Sequence, residues 1–213
     1  MCWRKYKRMD KSKNKETFMK LMGFTHDEYI HYIKKGNFIE NHWKLYSYIS
    51  ASTINGMNLI ESKINQFILN YYQVHKNLEL DFIDKILSNI NFRNKYESFL
   101  RIYKENFFDQ SPEFLKKIEK IESLRKYRNK IAHAFLEDNF NKINETEKRD
   151  KIRLRYYNSS TKKNDIETIT LKEHEDNLKL IEQIYFDLKV LVIQVFNRID
   201  YLEDNNTPRK NKD

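Results

Sequence analysis

Only one cysteine, Cys2, occurs in the 213 residues, so no disulfide can close within the chain and nothing in it demands an oxidising compartment. Three glycines and two prolines leave few places for tight turns or helix breaks. The glycines stand at 23, 36 and 56, too far apart to form a phosphate-cradling loop, which argues against a nucleotide triphosphatase fold. Long hydrophobic runs are missing too. Stretches such as KVLVIQVF fall far short of the roughly 18 apolar residues of a membrane span. The opening MCWRKYKRMDKSKNK is charged and has no apolar segment of the signal-peptide kind, so the chain is expected to be neither secreted nor embedded, with the cytoplasm as its default place. Six scattered histidines and an isolated cysteine offer no metal-ligand spacing.

What the sequence does contain is long uninterrupted runs of Leu, Ile, Lys, Glu and Asn, which favour a mainly helical protein. Forty Lys and Arg against 31 Asp and Glu give a formal charge of +9, which suits an anionic partner, above all nucleic acid. A composition rich in Lys, Asn, Ile and Tyr also follows from AT-rich coding, so the charge is supporting evidence only. The expected organisation is a basic arm over residues 1–17, one helical domain over 18–203 and a disordered tail over 204–213.

Along the chain, THDEYIHYIKKG predicts a short helix from an N-cap at Thr25 to Gly36. A long core helix over about 41–72 follows from the stripe Ile54, Met57, Ile60, Ile64, Phe67, Ile68 and Tyr71. Glu61 falls inside that stripe. The segment from LELDFIDKILSNI to NFRNKYESFLRIY predicts two helical pieces with the weak point at SNINF, where Ser and Asn compete for backbone hydrogen bonds. Ser111 and Pro112 predict a helix start and a single helix to about Leu136. KIRLRYYN alternates Ile152, Leu154 and Tyr156 against Lys151, Arg153, Arg155 and Tyr157, and with IETITL predicts a β-hairpin over about 151–171. Its basic, tyrosine-bearing face could touch phosphates and stack a base, or be a solvated outer face. A last helix over about 172–202 carries a continuous apolar stripe from Leu178 to Ile199.

The stretch LRKYRNKIAHAF, residues 124–135, holds the central anomaly. At about 100° per residue Leu124, Ile131 and Phe135 share a stripe, and Arg128 lies in its middle. Removing a guanidinium from water is costly unless something negative meets it, so either a carboxylate waits there or the stripe opens into a site. Glu61 is the misplaced acid that would serve, pairing with Arg128 or Arg125; under that purely structural reading His133 merely ends a helix. Arg125, Asn129 and His133 follow one another at four-residue spacing and line one polar wall. Arg128 and His133 are about 140° apart around the helix, within the swing of the guanidinium arm.

The run RNKIAH, late in a core helix of a basic, helical chain and followed by a hairpin and a long last helix, resembles the ribonuclease motif of the HEPN superfamily (higher eukaryotes and prokaryotes nucleotide-binding). The resemblance implies an all-α, HEPN-like helical bundle with a small β-hairpin before the last long helix. It also implies metal-independent endoribonuclease activity without a cofactor, with Arg128 and His133 as the catalytic pair. Asn129 and Glu61 would support them, and Arg125 and Lys126 would bind RNA. Expected partners are RNA, a second copy of the chain in a homodimer, and an antitoxin or defence-system protein, with phage defence, toxin–antitoxin pairing and RNA processing all open. Some toxins of that family have a tyrosine two residues after the histidine that a nucleotidyltransferase partner modifies. Phe135 stands there in this chain, so that mode of control is not expected. Two further readings stay open: a non-catalytic HEPN-like module that binds RNA or protein, and a helical interaction protein.

Overall fold

With one glycine and no proline between Phe38 and Tyr71, the backbone has no reason to break, and helix α1 (Phe38–Tyr71) runs for 34 residues. A computed structural model of the chain describes residues 38–74, 78–106, 112–136, 151–158 and 161–206. The basic arm, the helix expected at 25–36, the Ser111 cap and residues 207–213 lie outside the described residues. Among the described residues the order continues with α2 (Glu79–Lys85), a short 3-10 turn (Leu87–Asn89), α3 (Phe92–Asn106), α4 (Pro112–Glu119) and α5 (Ile121–His133). Then come strands β1 (Phe135–Leu136), β2 (Lys151–Asn158) and β3 (Lys163–Thr170), and helix α6 (Leu171–Asn206). The protein is therefore mostly helical with a small antiparallel sheet, and none of its described helices is long and apolar enough to cross a membrane.

Of the described residues, those up to Asn58 together with Glu119–Gln183 form one compact unit, and Leu59–Ile118 with those from Ile184 onward form a second. The first holds α5, the sheet and the opening turns of α6. Its core includes Leu45, Ile49, Met57, Leu124, Ile131, Ile152, Leu154 and Ile181, each at most 2 % exposed. The second unit is all-helical, with Ile60, Ile64, Phe67, Phe99, Ile118 and Leu188 fully buried. There Phe67 meets Phe99 edge-on at 4.9 Å, an arrangement that aligns ring edge with ring face.

The break expected at SNINF is present, and its cause is local. Ser88 Oγ donates to the Asp84 carbonyl, Asn89 Nδ2 donates to the Lys85 carbonyl at 2.8 Å, and Asn91 Oδ1 accepts from the Asn94 amide at 2.9 Å. Three side chains thus satisfy backbone groups as one helix stops and the next begins. The single helix expected from Pro112 to Leu136 is instead two, α4 and α5, parted at Lys120. It also stops earlier, at His133: Ala134 turns extended at φ −92°, ψ 154°. Phe135 and Leu136 leave the helix to pair with Arg155 and Leu154 of β2, making a third strand that the hairpin alone does not announce. Phe135, expected on the buried stripe, is 78 % exposed. At the other end of the chain, α6 continues through Asn206, past the start of the expected tail.

Candidate functional site on helix α5

Helix α5 owes its placement to three apolar anchors, Ile121, Leu124 and Ile131, all buried. Polar contacts fix it from two further sides. Tyr46 of α1 donates its hydroxyl to the Ala134 carbonyl at 3.1 Å, holding the backbone just past His133. On the hairpin side Lys130 Nζ reaches both Glu167 oxygens, at 2.9 and 2.8 Å, and lies 5.8 Å from the centre of the Tyr156 ring. The Glu167 hydrogen bond raises the Lys130 pKa, keeping that ammonium charged.

A buried polar cluster pins the same helix from below. His174 of α6 is fully buried. Its Nε2 lies 2.9 Å from Ser52 Oγ and its Nδ1 lies 3.2 Å from the Tyr127 hydroxyl. Ser52 gives its own proton to the Tyr48 carbonyl, so Oγ accepts from Nε2–H and the Tyr127 hydroxyl donates to Nδ1. The imidazole is thereby assigned as neutral. Burial pushes the His174 pKa from 6.5 down to about 3, and raises that of Tyr127. The sequence carries a signal for this cluster: His174 extends the last helix's stripe one turn back from Leu178, with Ile181 seven positions on.

The linkage is directional. Between about pH 3 and 6.5 the unfolded chain protonates His174 and the folded chain does not, so stability is full above 6.5 and falls as the pH drops through that window. At about 1.4 kcal/mol per pH unit, moving from pH 7.5 to 5.0 should remove about 2 kcal/mol on account of this residue. Urea titrations of wild type and His174→Gln at both pH values check it. The variant should show a pH effect smaller by that amount, and equal effects in the two chains would refute the assignment.

Arg128 lies among the buried anchors of α5, half-buried, with a buried Nε that has no hydrogen-bond partner, and it has no carboxylate partner among the described residues. Asn129 is half-buried one turn before His133, which is the exposed last residue of the helix; Lys126 is exposed. Arg125 departs from its expected role. Its Nε and a terminal nitrogen grip both oxygens of Glu122 at 2.7 Å, a bidentate pair that raises its pKa and neutralises it locally. Glu61 departs as well: it meets Lys95 of α3 at 2.5 Å rather than an arginine. The signal for Lys95 was of the same kind as that for Arg128, a cation set among apolar residues, with Phe92 three before it and Phe99 four after. Among the described residues no three His, Cys, Asp or Glu side chains gather as a metal-binding group. Compared with family models, curated proteins and solved structures, the chain matches none.

Proposed function

We propose that the protein is a metal-independent endoribonuclease of HEPN type. The observation that carries this reading is Arg128: a guanidinium set among apolar neighbours, its Nε buried and unpartnered. An arginine kept for packing or stability would be expected to hold a carboxylate, and the acid that could have served, Glu61, is held by Lys95. A buried donor left open on a charged fork suits an anion that arrives from outside, and a phosphodiester fits its geometry.

The chemistry follows from the side chains. A ribose 2′-hydroxyl attacks the adjacent phosphorus while an imidazole takes its proton. The bond from phosphorus to the 5′-oxygen breaks, and the leaving oxygen takes a proton, giving a 2′,3′-cyclic phosphate and a 5′-hydroxyl. His133 is the proton carrier and Arg128 stabilises the charge building on the phosphoryl oxygens. One helix supplies one imidazole, and two proton transfers are served best by two, so the working form is a homodimer that brings two α5 helices to a shared cleft. Sedimentation should show a dimer at micromolar concentration; a monomer, or a dimer joined far from residues 124–136, counts against this arrangement.

The testing experiment is incubation of the purified chain with single-stranded RNA and with DNA of the same sequence, in EDTA. RNA should be cut to cyclic-phosphate ends and DNA should survive, since it lacks the 2′-hydroxyl nucleophile. RNA that is bound and left whole would make the protein a non-catalytic module in which Arg128 holds phosphate without cleavage. Biological roles in phage defence or toxin–antitoxin pairing, with a matching partner protein, belong to this same reading.

A further inference from the structure

Within the first unit, and among its described residues, three buried side-chain atoms find no hydrogen-bond partner: Ser50 Oγ and Thr53 Oγ1 on α1, and Arg128 Nε on α5. Their neighbour Ser52 shows what a buried helical hydroxyl ordinarily does, giving its proton to the Tyr48 carbonyl four residues back. Ser50 and Thr53 make no such bond. A buried donor left unmet is costly, and three in one unit call for a common cause.

Their positions on the two helices supply one. Ser50 and Thr53 lie four and seven residues after Tyr46, so the three share a stripe of α1. That stripe faces α5, because the Tyr46 hydroxyl reaches the Ala134 carbonyl at 3.1 Å. The helices run in opposite directions: Ser52, further along α1, is joined through His174 to Tyr127, further back along α5. At 1.5 Å of rise per residue, Ser50 lies about 6 Å and Thr53 about 10 Å beyond Tyr46, while Arg128 lies about 9 Å before Ala134. Arg128 therefore stands level with the two hydroxyls, between them. Lys130 turns to the hairpin and Tyr127 to α6, which leaves α1, among the described elements of this unit, to cover the buried face of α5 that holds Arg128.

An enclosed water would satisfy the hydroxyls and leave the guanidinium charge uncompensated. A phosphoryl group offers oxygens to all three donors and meets the charge as well. We infer that Ser50 and Thr53 complete with Arg128 a phosphoryl-binding pocket between α1 and α5, entered beside the half-buried Ser50 and Arg128 and closed at its inner end by the fully buried Thr53. That the group held there is the scissile phosphodiester of RNA rests on the ribonuclease reading proposed above; free phosphate shares the chemistry, and the pocket stands by itself.

The test adds inorganic phosphate to the full, isotope-labelled chain and follows the Arg128 Nε–H resonance, assigned by its loss in Arg128→Lys. The signal should shift and saturate. Ser50→Ala and Thr53→Val should each weaken phosphate about ten-fold, the scale of one hydrogen bond to a charged group, without lowering the urea midpoint. Thr53→Ser, which keeps the hydroxyl, should bind as wild type does. Ser123→Ala should change nothing, since that hydroxyl already meets the Lys120 carbonyl. In RNA cleavage, Ser50→Ala and Thr53→Val should lower kcat/KM about ten-fold each. An Arg128 resonance that phosphate does not move would overturn the pocket. Phosphate affinity and kcat/KM both indifferent to the two hydroxyls, in a chain that still cleaves, would overturn it and leave the ribonuclease reading standing. Phosphate affinity that falls with either hydroxyl, in a wild-type chain that never cleaves, would support the pocket and remove the ribonuclease.

Discussion

His133→Ala is expected to abolish RNA cleavage in EDTA while leaving the fold intact. General acid–base catalysis by a positioned imidazole contributes about 10² to 10⁴ in rate, so its removal should take turnover below detection against a slow background. The fold should survive because the side chain is exposed at the last position of α5 and packs in no core. Arg128→Met is the companion with the more telling combination of effects. It should also abolish cleavage, yet stability should hold or rise by about 1 kcal/mol, because the substitution removes a buried donor that no group in the described structure satisfies. Activity lost together with stability gained is what a residue held for function predicts. Cleavage assays beside urea denaturation read both quantities. An active His133→Ala chain would sink the mechanism, and an Arg128→Met chain that unfolds would return Arg128 to a structural role.

The largest stability effect should come from Glu61→Ala. Its partner Lys95 has a side chain only 6 % exposed, and Glu61 is the carboxylate that meets it, at 2.5 Å. Truncating one member of such a pair strands the other charge out of water, at a cost of about 3–5 kcal/mol for fully buried pairs. The 25 % exposure of the Glu61 side chain lets water reach that side, which places the expected loss near the lower end, about 3 kcal/mol. Lys95→Met should behave oppositely, close to neutral, since an apolar stem of similar length replaces the buried ammonium and Glu61 keeps its access to solvent. Urea midpoints of the two variants decide the matter. Equal losses from both would mean the pair acts as packing rather than as a compensated charge.

Periodicity by itself determined the long helices α1 and α6 and the β2–β3 hairpin, because whether a residue faces a core depends on neighbours two, three or four positions away. It also exposed the SNINF break, whose hydrogen bonds all close within four residues. The charges at Glu61 and Arg128 stood out in the same way, as polar residues on apolar stripes. Their partners were not legible. Glu61 finds Lys95 34 positions on, and Ser52 finds His174 122 positions on, and only the packing of distant segments decides which of forty cations or six histidines arrives. The end of the motif helix belongs to tertiary structure too. No helix-breaking residue follows His133; α5 stops there as Tyr46 takes the Ala134 carbonyl and β2 supplies backbone partners to Phe135 and Leu136. That long-range pairing turns Phe135 from a core position into an exposed ring on a basic sheet face, since two residues carry too little local preference to choose strand over helix without a neighbour to pair with.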